Sequence, residues 1–498
     1  DVVEESTLED SAEDVTELEE PSPEGFVDCS ECIDGNPSHR RYGIAVTDFN
    51  SDGDFEAVVT GYGAPNEVWD WQDEGLVDIS TNDMKDSSRR AIGVGACDVD
   101  SDGQEELYFL NVDQFGGLGE VTDRLYDNAE SGWIDLFELD QNLSQVNRFS
   151  GRSVACLDRY GTGDYGVFVA NYGGPMKLFE VTDNQITDVG SEAGINFTTG
   201  GRALLSLPVF EGGMHIFAGN EQGANFLFRN NGDGSFTNVA QEVGIQDPYE
   251  TVRGTTTLDI DDDGDFDLVI GDAAGRVSYY ENTGTPKAPQ FEFVNSIHAH
   301  AAMAAPTLAD LDGDSYPELA VGGADPAIAF FNLTYEPFHD TLRLTGEWRH
   351  LGPVFVDVDD DGDLDLLVAA SGLWEAVGFI KNVGSRTSPR FEVRRDGYAN
   401  VRRLDLLGLD APASRFAVGA PAYLDPENRS WVPTSSIAVG DEGHGLHYLR
   451  LMKDKDPYLA RTPLFWTAPL QDLDLEAVGR SFPLRVHEAP APCLADFN

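Results

Sequence analysis

The stretch "DVDDDGDLDLLVA" (residues 357–369) places six acids within nine residues and then runs directly into an apolar strand. Carboxylates this close repel one another, so they need water on every side or a cation among them. The same layout returns in "GIAVTDFNSDGDFEAVVTGYG" from Gly43, "IGVGACDVDSDGQEELYFLN" from Ile92, "GTTTLDIDDDGDFDLVIGD" from Gly254 and "APTLADLDGDSYPELAVGG" from Ala305. Each is a short apolar strand, an acidic loop, and a second apolar strand ending in small residues. Weaker copies come after Arg152 ("SVACLDRYGTGDYGVFVANYG") and Ala203 ("LLSLPVFEGGMHIFAGNEQG"), and another begins at Gly419 ("GAPAYLDPENRSWVPTSSIAVGD"). Eight such units recur about every fifty residues, a period that belongs to propellers or solenoids.

The residues after each strand pair decide between these architectures. "GNEQGANFLFRNNGDGSFTNVAQ", "GDAAGRVSYYENTGTPKAPQFEFV" and "GFIKNVGSRTSPRFEV" each add two β-rich runs joined by Gly/Asn turns. Four short strands per unit make a propeller blade. The expected fold is therefore an all-β β-propeller of four-stranded blades, seven or eight in number, with helix confined to a turn at "NVAQEVGI". Residues 1–25 hold eleven acids and no base and read as a disordered tail; 26–498 read as the propeller. The chain shows no initiator Met or secretory leader, and "PCLADFN" restarts a motif it does not finish, so both ends read as cut.

Charge narrows the function. Eighty-nine acids against 32 Lys and Arg give a net charge of −57. That balance excludes nucleic acid as a direct partner. It suits a soluble extracellular protein with many cation sites, or one adapted to high salt, where screening tames an acidic surface. No run of eighteen apolar residues exists, so no membrane-spanning helix is expected.

The acidic loops carry the chemistry. Counted from the first Asp, oxygen-bearing side chains fall at positions 1, 3, 5 and 9, with Gly at 6 in four of the five loops. The candidate ligand sets are Asp48, Asn50, Asp52, Asp54, Glu56; Asp98, Asp100, Asp102, Gln104, Glu106; and Asp259, Asp261, Asp263, Asp265, Asp267. The other two are Asp310, Asp312, Asp314, Tyr316, Glu318; and Asp357, Asp359, Asp361, Asp363, Asp365. Position 7 adds its backbone carbonyl. Six to eight hard oxygens suit Ca²⁺; Mg²⁺ prefers to keep its waters, and no soft ligand invites Zn²⁺. Position 12, where an EF-hand needs a bidentate Glu, is Val59, Phe109, Ile270, Val321 or Val368 inside a strand, so these are β-hairpin calcium loops. Solvated turns alone would not demand acids at fixed spacing five times over. About five Ca²⁺ ions are expected. Their ten positive charges take −57 only to −47, so most of the acidity has another origin.

The remaining motifs are weaker. Cys97 and Cys156 precede the loops of consecutive blades by one and two residues, a placement that lets them meet as a disulfide or lie as two buried thiols. Cys29 and Cys32 form a lone "CSEC", and Cys493 is left over. "HAH" at His298 and His300 places two imidazoles on one strand face, and His444 and His447 form a second pair; both read as surface or core histidines before ligands. No nucleophile elbow, phosphate loop or dinucleotide fingerprint appears, so no enzyme is expected.

The loops resemble FG-GAP/VCBS repeats, the integrin-type propeller blade, and "GYGAPNEVWDW" from Gly61 is similar to that repeat's namesake. More narrowly, "RAIGVGACDVDSDGQEELYFLN", "GRSVACLDRYGTGDYGVFVANYGGP" and "GNEQGANFLFRNNGDGSFTNVAQEVGIQDP" resemble the cartilage acidic protein family across residues 42–254. The resemblance implies a secreted or surface-displayed calcium-binding propeller that engages an extracellular protein or glycan in adhesion or matrix contact. It implies no catalytic residues, and it stops after the seventh blade, with no tail domain or EGF-like module in view. The alternative class is a polysaccharide-active lyase or hydrolase with its site in the propeller funnel, which would need His, Tyr and Arg converging on the axis.

Overall fold

In the computed structural model, residues 43–397 are described with short interruptions, together with a strand at Gly25–Asp28 and short strands between 402 and 452. The acidic stretch 1–24, Cys29, Cys32, His444 and Cys493 lie outside the described residues.

Seven consecutive antiparallel four-stranded meanders, here blades 1 to 7, occupy residues 44–78, 91–135, 151–188, 198–238, 252–298, 305–343 and 349–403. An eighth four-stranded sheet combines Ala417–Gly419, Ser436–Asp441 and Gly445–Met452 with the N-terminal strand Gly25–Asp28 on its outer edge. The described residues thus form eight four-stranded units. Blades 3 and 4 share one sheet, because the long strand Gly166–Pro175 runs past its own partners and pairs with Thr198–Leu207, with Tyr172 opposite Gly200.

Burial grades from the first two strands of a blade outward, and residue type tracks it. The second strands Glu106–Asn111 ("ELYFLN"), His215–Asn220 and Asp267–Asp272 are buried at every position, which their near-continuous apolar runs require. The fourth strand of blade 5, Phe291–His298, is exposed over most of its length. First strands are rich in small residues because neighbouring first strands crowd together. A Cβ on Gly43 would sit 2.8 Å from the Cα of Gly93, so the close approach of blades 1 and 2 requires glycine there.

The core is layered between blades rather than pooled. One layer joins blades 1 and 2 through Phe49, Val58, Val94 and Phe109. The next joins blades 2 and 3 through Tyr108, Phe137, Val167 and Phe179, and equivalent layers continue to blade 7. A stack of twisted sheets packed face to face in chain order is the propeller packing that the repeat period anticipated. Cys97 and Cys156 are bonded across the layer between blades 2 and 3, with Cα atoms 5.6 Å apart.

"NVAQEVGI" makes a single turn, closed by Val243 N–H to the Val239 carbonyl at 2.9 Å, in line with the short turn expected there. One local expectation changes. The "HAH" histidines do not share a strand face. His298 ends its strand exposed, whereas His300 lies beyond it, buried, with Nε2 2.7 Å from the Val321 carbonyl of the next blade.

Candidate metal centres

Every acidic loop joins the first strand of its blade to the second, so all lie at the same end of their blades. The loop backbone needs left-handed residues to turn so tightly. Position 4 has φ of +60° at Ser51 and +65° at Ser101, and position 6 has +92° at Gly103 and +88° at Gly362. Blade 6 places its glycine at position 4 instead, where Gly313 has φ of +75°.

Blade 2 is described at every loop position, and positions 1, 3 and 9 come together. Glu106 opens the buried second strand and is 1% exposed. Its Oε2 accepts the backbone N–H of Val99 at 2.6 Å, closing the loop on itself. Its Oε1 and the Oδ1 of Asp98 are buried with no hydrogen-bond partner. Ligand atoms of Asp98, Asp100 and Glu106 all lie within 4.8 Å of one another, and Asp310, Asp312 and Glu318 repeat the arrangement in blade 6. Position 5 stays outside this grouping: Asp102 and Asp314 are exposed and accept the backbone N–H of Gln104 and Tyr316, each at 2.8 Å. At position 7, the Gln104 side chain turns away and accepts from Ser51 Oγ and Asn128 Nδ2, each at 2.8 Å; Tyr316 is exposed.

The other loops are described in part. In blade 1, Asp48 is half-buried, Asn50 exposed and Glu56 buried, with Oε2 2.7 Å from Phe49 N–H; Asp52 and Asp54 lie outside the described residues. In blade 5, Asp261 and Asp263 are exposed and Asp267 is buried on Ile260 N–H and Asn282 N–H; Asp259 and Asp265 lie outside. In blade 7, Asp363 and Asp365 are buried; Asp357, Asp359 and Asp361 lie outside.

Electrostatics agree with the geometry. Burial pushes the Glu106 carboxyl up to about 9, with Asp100, Asp127 and Asp98 adding repulsion. Burial raises Glu318 to about 8 beside Asp312, Asp314 and Asp310, and Asp267 to about 7 beside Asp261 and Asp263. A buried anion among anions must take a proton or a cation. The orphaned oxygens and the all-oxygen donor set fit a hard divalent ion such as Ca²⁺, held by Asp98, Asp100 and Glu106 in blade 2 and by Asp310, Asp312 and Glu318 in blade 6.

Blades 3 and 4 keep the paired first and second strands and lose the acid of position 9. In blade 3, Gly161 and Gly163 hold φ of +69° and +92°, the same backbone turn. Position 9 is Gly166, and the Asp158 carboxylate instead accepts the N–H groups of Tyr160, Gly161, Thr162 and Gly163. Arg159 pairs with Glu180 of the third strand and donates to the Gly234 carbonyl at 2.9 Å. In blade 4, His215 takes the position of the acid, and its Nδ1 accepts Asn230 N–H at 2.9 Å.

A repeating four-stranded blade with an acidic loop between its first two strands defines an FG-GAP-type β-propeller. Residues 212–270 and 259–321 match the FG-GAP-like repeat. The chain is 35% identical over 376 residues to cartilage acidic protein 1 of Homo sapiens, across 68% of this chain and 57% of that protein. With the Xenopus tropicalis protein of the same name it shares 34% identity over 383 residues, across 68% and 58%. The chain therefore carries FG-GAP-like repeats and is similar in sequence to the cartilage acidic proteins, over a larger share than residues 42–254 led one to expect; it spans under three fifths of these relatives' length. Two solved structures share the fold. Sqt1 of Saccharomyces cerevisiae has 10% identity and a TM-score of 0.50, covering 84% of this chain and all of that one. Chaetomium thermophilum Sqt1 bound to the N-terminus of ribosomal protein L10 has 11% identity and 0.51, covering 86% and all. At such identity only the fold is shared.

Proposed function

We propose that this chain is a calcium-binding, non-enzymatic propeller that acts outside the cell, secreted or at its surface, and holds an extracellular protein or glycan in adhesion or matrix contact. The observation that carries the reading is Glu106, a carboxylate buried at a loop's root with one oxygen unpartnered and two further acids within ligand distance. Calcium there would neutralise a loop that otherwise repels itself and pin the first two strands of its blade. The Cys97–Cys156 bridge favours an oxidising compartment, and the cartilage acidic proteins are relatives by sequence.

The end of the blades opposite the loops is the candidate partner face. There the segment joining the second and third strands of blade 2 exposes Phe115 (57%) and Leu118 (64%), and the Arg152 guanidinium lies 4.8 Å from the Phe115 ring centroid. Exposed aromatics beside arginine are common anchors of binding surfaces.

Calcium titration calorimetry combined with thermal unfolding tests the reading. About five ions are expected, and chelation lowers the unfolding midpoint by many degrees, since one site at a hundredfold excess over its Kd contributes about 2.7 kcal/mol. An unchanged midpoint on chelation refutes it.

A further inference from the structure

The sequence motif ends at position 9, but the sheet register continues the site onto the third strand. Leu107 pairs with Tyr126, which sets Asp127 opposite Glu106. Leu268 pairs with Tyr280, setting Glu281 opposite Asp267, and Ala57 with Trp69, setting Asp70 opposite Glu56. In antiparallel sheets, directly opposed residues share a face. Asp127 is 4% exposed; among the described residues no hydrogen bond to its carboxylate is seen, and its oxygens keep an edge on solvent rather than being sealed in. The charges bearing on it are Asp100 and Asp102, and those bearing on Glu281 include Asp261 and Asp263, so both third-strand acids face loop positions 3 and 5. An acid so placed gains nothing from its neighbours unless a cation lies among them.

Other blades vary this position. In blade 3 it is Glu180, and there the chain supplies its own cation, the Arg159 guanidinium. In blade 6 it is Asn332, whose Oδ1 is engaged by Thr334 and Glu336 N–H in a local turn. In blade 7 it is Lys381, opposite Asp365.

We infer that the third-strand residue opposite position 9 is a further determinant of cation affinity, so that the five loops are graded: Asp70, Asp127 and Glu281 strengthen their sites, Asn332 contributes nothing, and Lys381 makes blade 7 the weakest. The grading rests on the calcium reading of the loops. A unit charge a few ångströms from a divalent ion, at the effective dielectric of a protein, changes affinity by about tenfold or more.

Titration of the whole chain with Ca²⁺ tests the grading. Asp127→Asn is expected to weaken one site about tenfold and to raise the melting point of the ion-free protein, because it removes repulsion. Lys381→Gln is expected to strengthen one site by a similar factor. A purely structural role for Asp127 would lower the ion-free melting point, and that result overturns the inference. So do unchanged isotherms for both variants while Glu106→Gln loses one ion. If Glu106→Gln also leaves the ion number unchanged, the calcium reading itself fails and takes the grading with it.

Discussion

Removing the ions should reverse how the protein responds to pH. Glu106 ionises near 4.5 in an unfolded chain, but in the ion-free fold burial holds its proton until about pH 9. Its contribution to stability is therefore complete below pH 4.5 and is lost as pH rises toward 9, because only the unfolded state releases the proton in that window. At 1.36 kcal/mol per pH unit, Glu106 alone removes about 4 kcal/mol between pH 5 and 8. Glu318, raised to about 8, slopes the same way, and the sum is a large fraction of an ordinary domain's stability. With Ca²⁺ bound, the carboxylates are ionised in the fold as well and the slope disappears. Asp123, raised to about 7 by burial at the opposite end of blade 2, contributes equally in both conditions and cancels in the comparison. The assay is urea denaturation from pH 5 to 8 in metal-stripped buffer and in excess Ca²⁺, for the parent and for Glu106→Gln. The variant should flatten the ion-free slope by about 1.4 kcal/mol per pH unit. Ion-free stability that is level or rising across this range refutes the reasoning.

Three further outcomes are expected. Arg159→Met strands Glu180 and the Gly234 carbonyl, which should cost about 3 kcal/mol in denaturant titration without changing the number of ions bound. Replacing Cys97 and Cys156 by Ala opens a bridge of sequence separation 59 and should cost about 2–4 kcal/mol, measured against the parent with and without reductant. Molar KCl should raise the unfolding midpoint if self-repulsion at −57 is a major burden on the fold; a midpoint indifferent to salt counts against high-salt adaptation.

Much of the architecture could be read from the sequence because its signals are local. An apolar run, an alternating set of acids, and a second apolar run are all contiguous, so the loops and the strand pairs around them could be placed from spacing; spacing brought Cys97 and Cys156 near each other but left a bridge and two buried thiols equally open, and the structure shows the bridge. The features that escaped depend on pairing across distance. "GFVD" at residues 25–28 has no strand signature of its own; only its partner near 449–452 makes it an edge. Asp127 reads as one polar residue in "RLYDNA" until the register sets it against Glu106. Arg159 occupies the position filled by buried Phe49, Val99, Ile260 and Leu311 in other blades, and nothing in "LDRYGTGD" says that its guanidinium crosses to the third strand. The two histidines of "HAH" failed for a related reason. Period-two alternation holds only while the strand lasts, and the strand ends between them.

The sulfur bridge also determines how the protein yields to mechanical load. Cys97 lies directly before Asp98, and Cys156 two residues before Asp158, so the link joins the roots of neighbouring loops where the first strands of blades 2 and 3 lie side by side. At the seam between blades 5 and 6, a pull that peels the stack apart would meet packed side chains and noncovalent contacts such as His300 Nε2 on the Val321 carbonyl. At the bridged seam it would meet a covalent tether. Rupture should therefore begin elsewhere and leave blades 2 and 3 travelling together as the last intact pair.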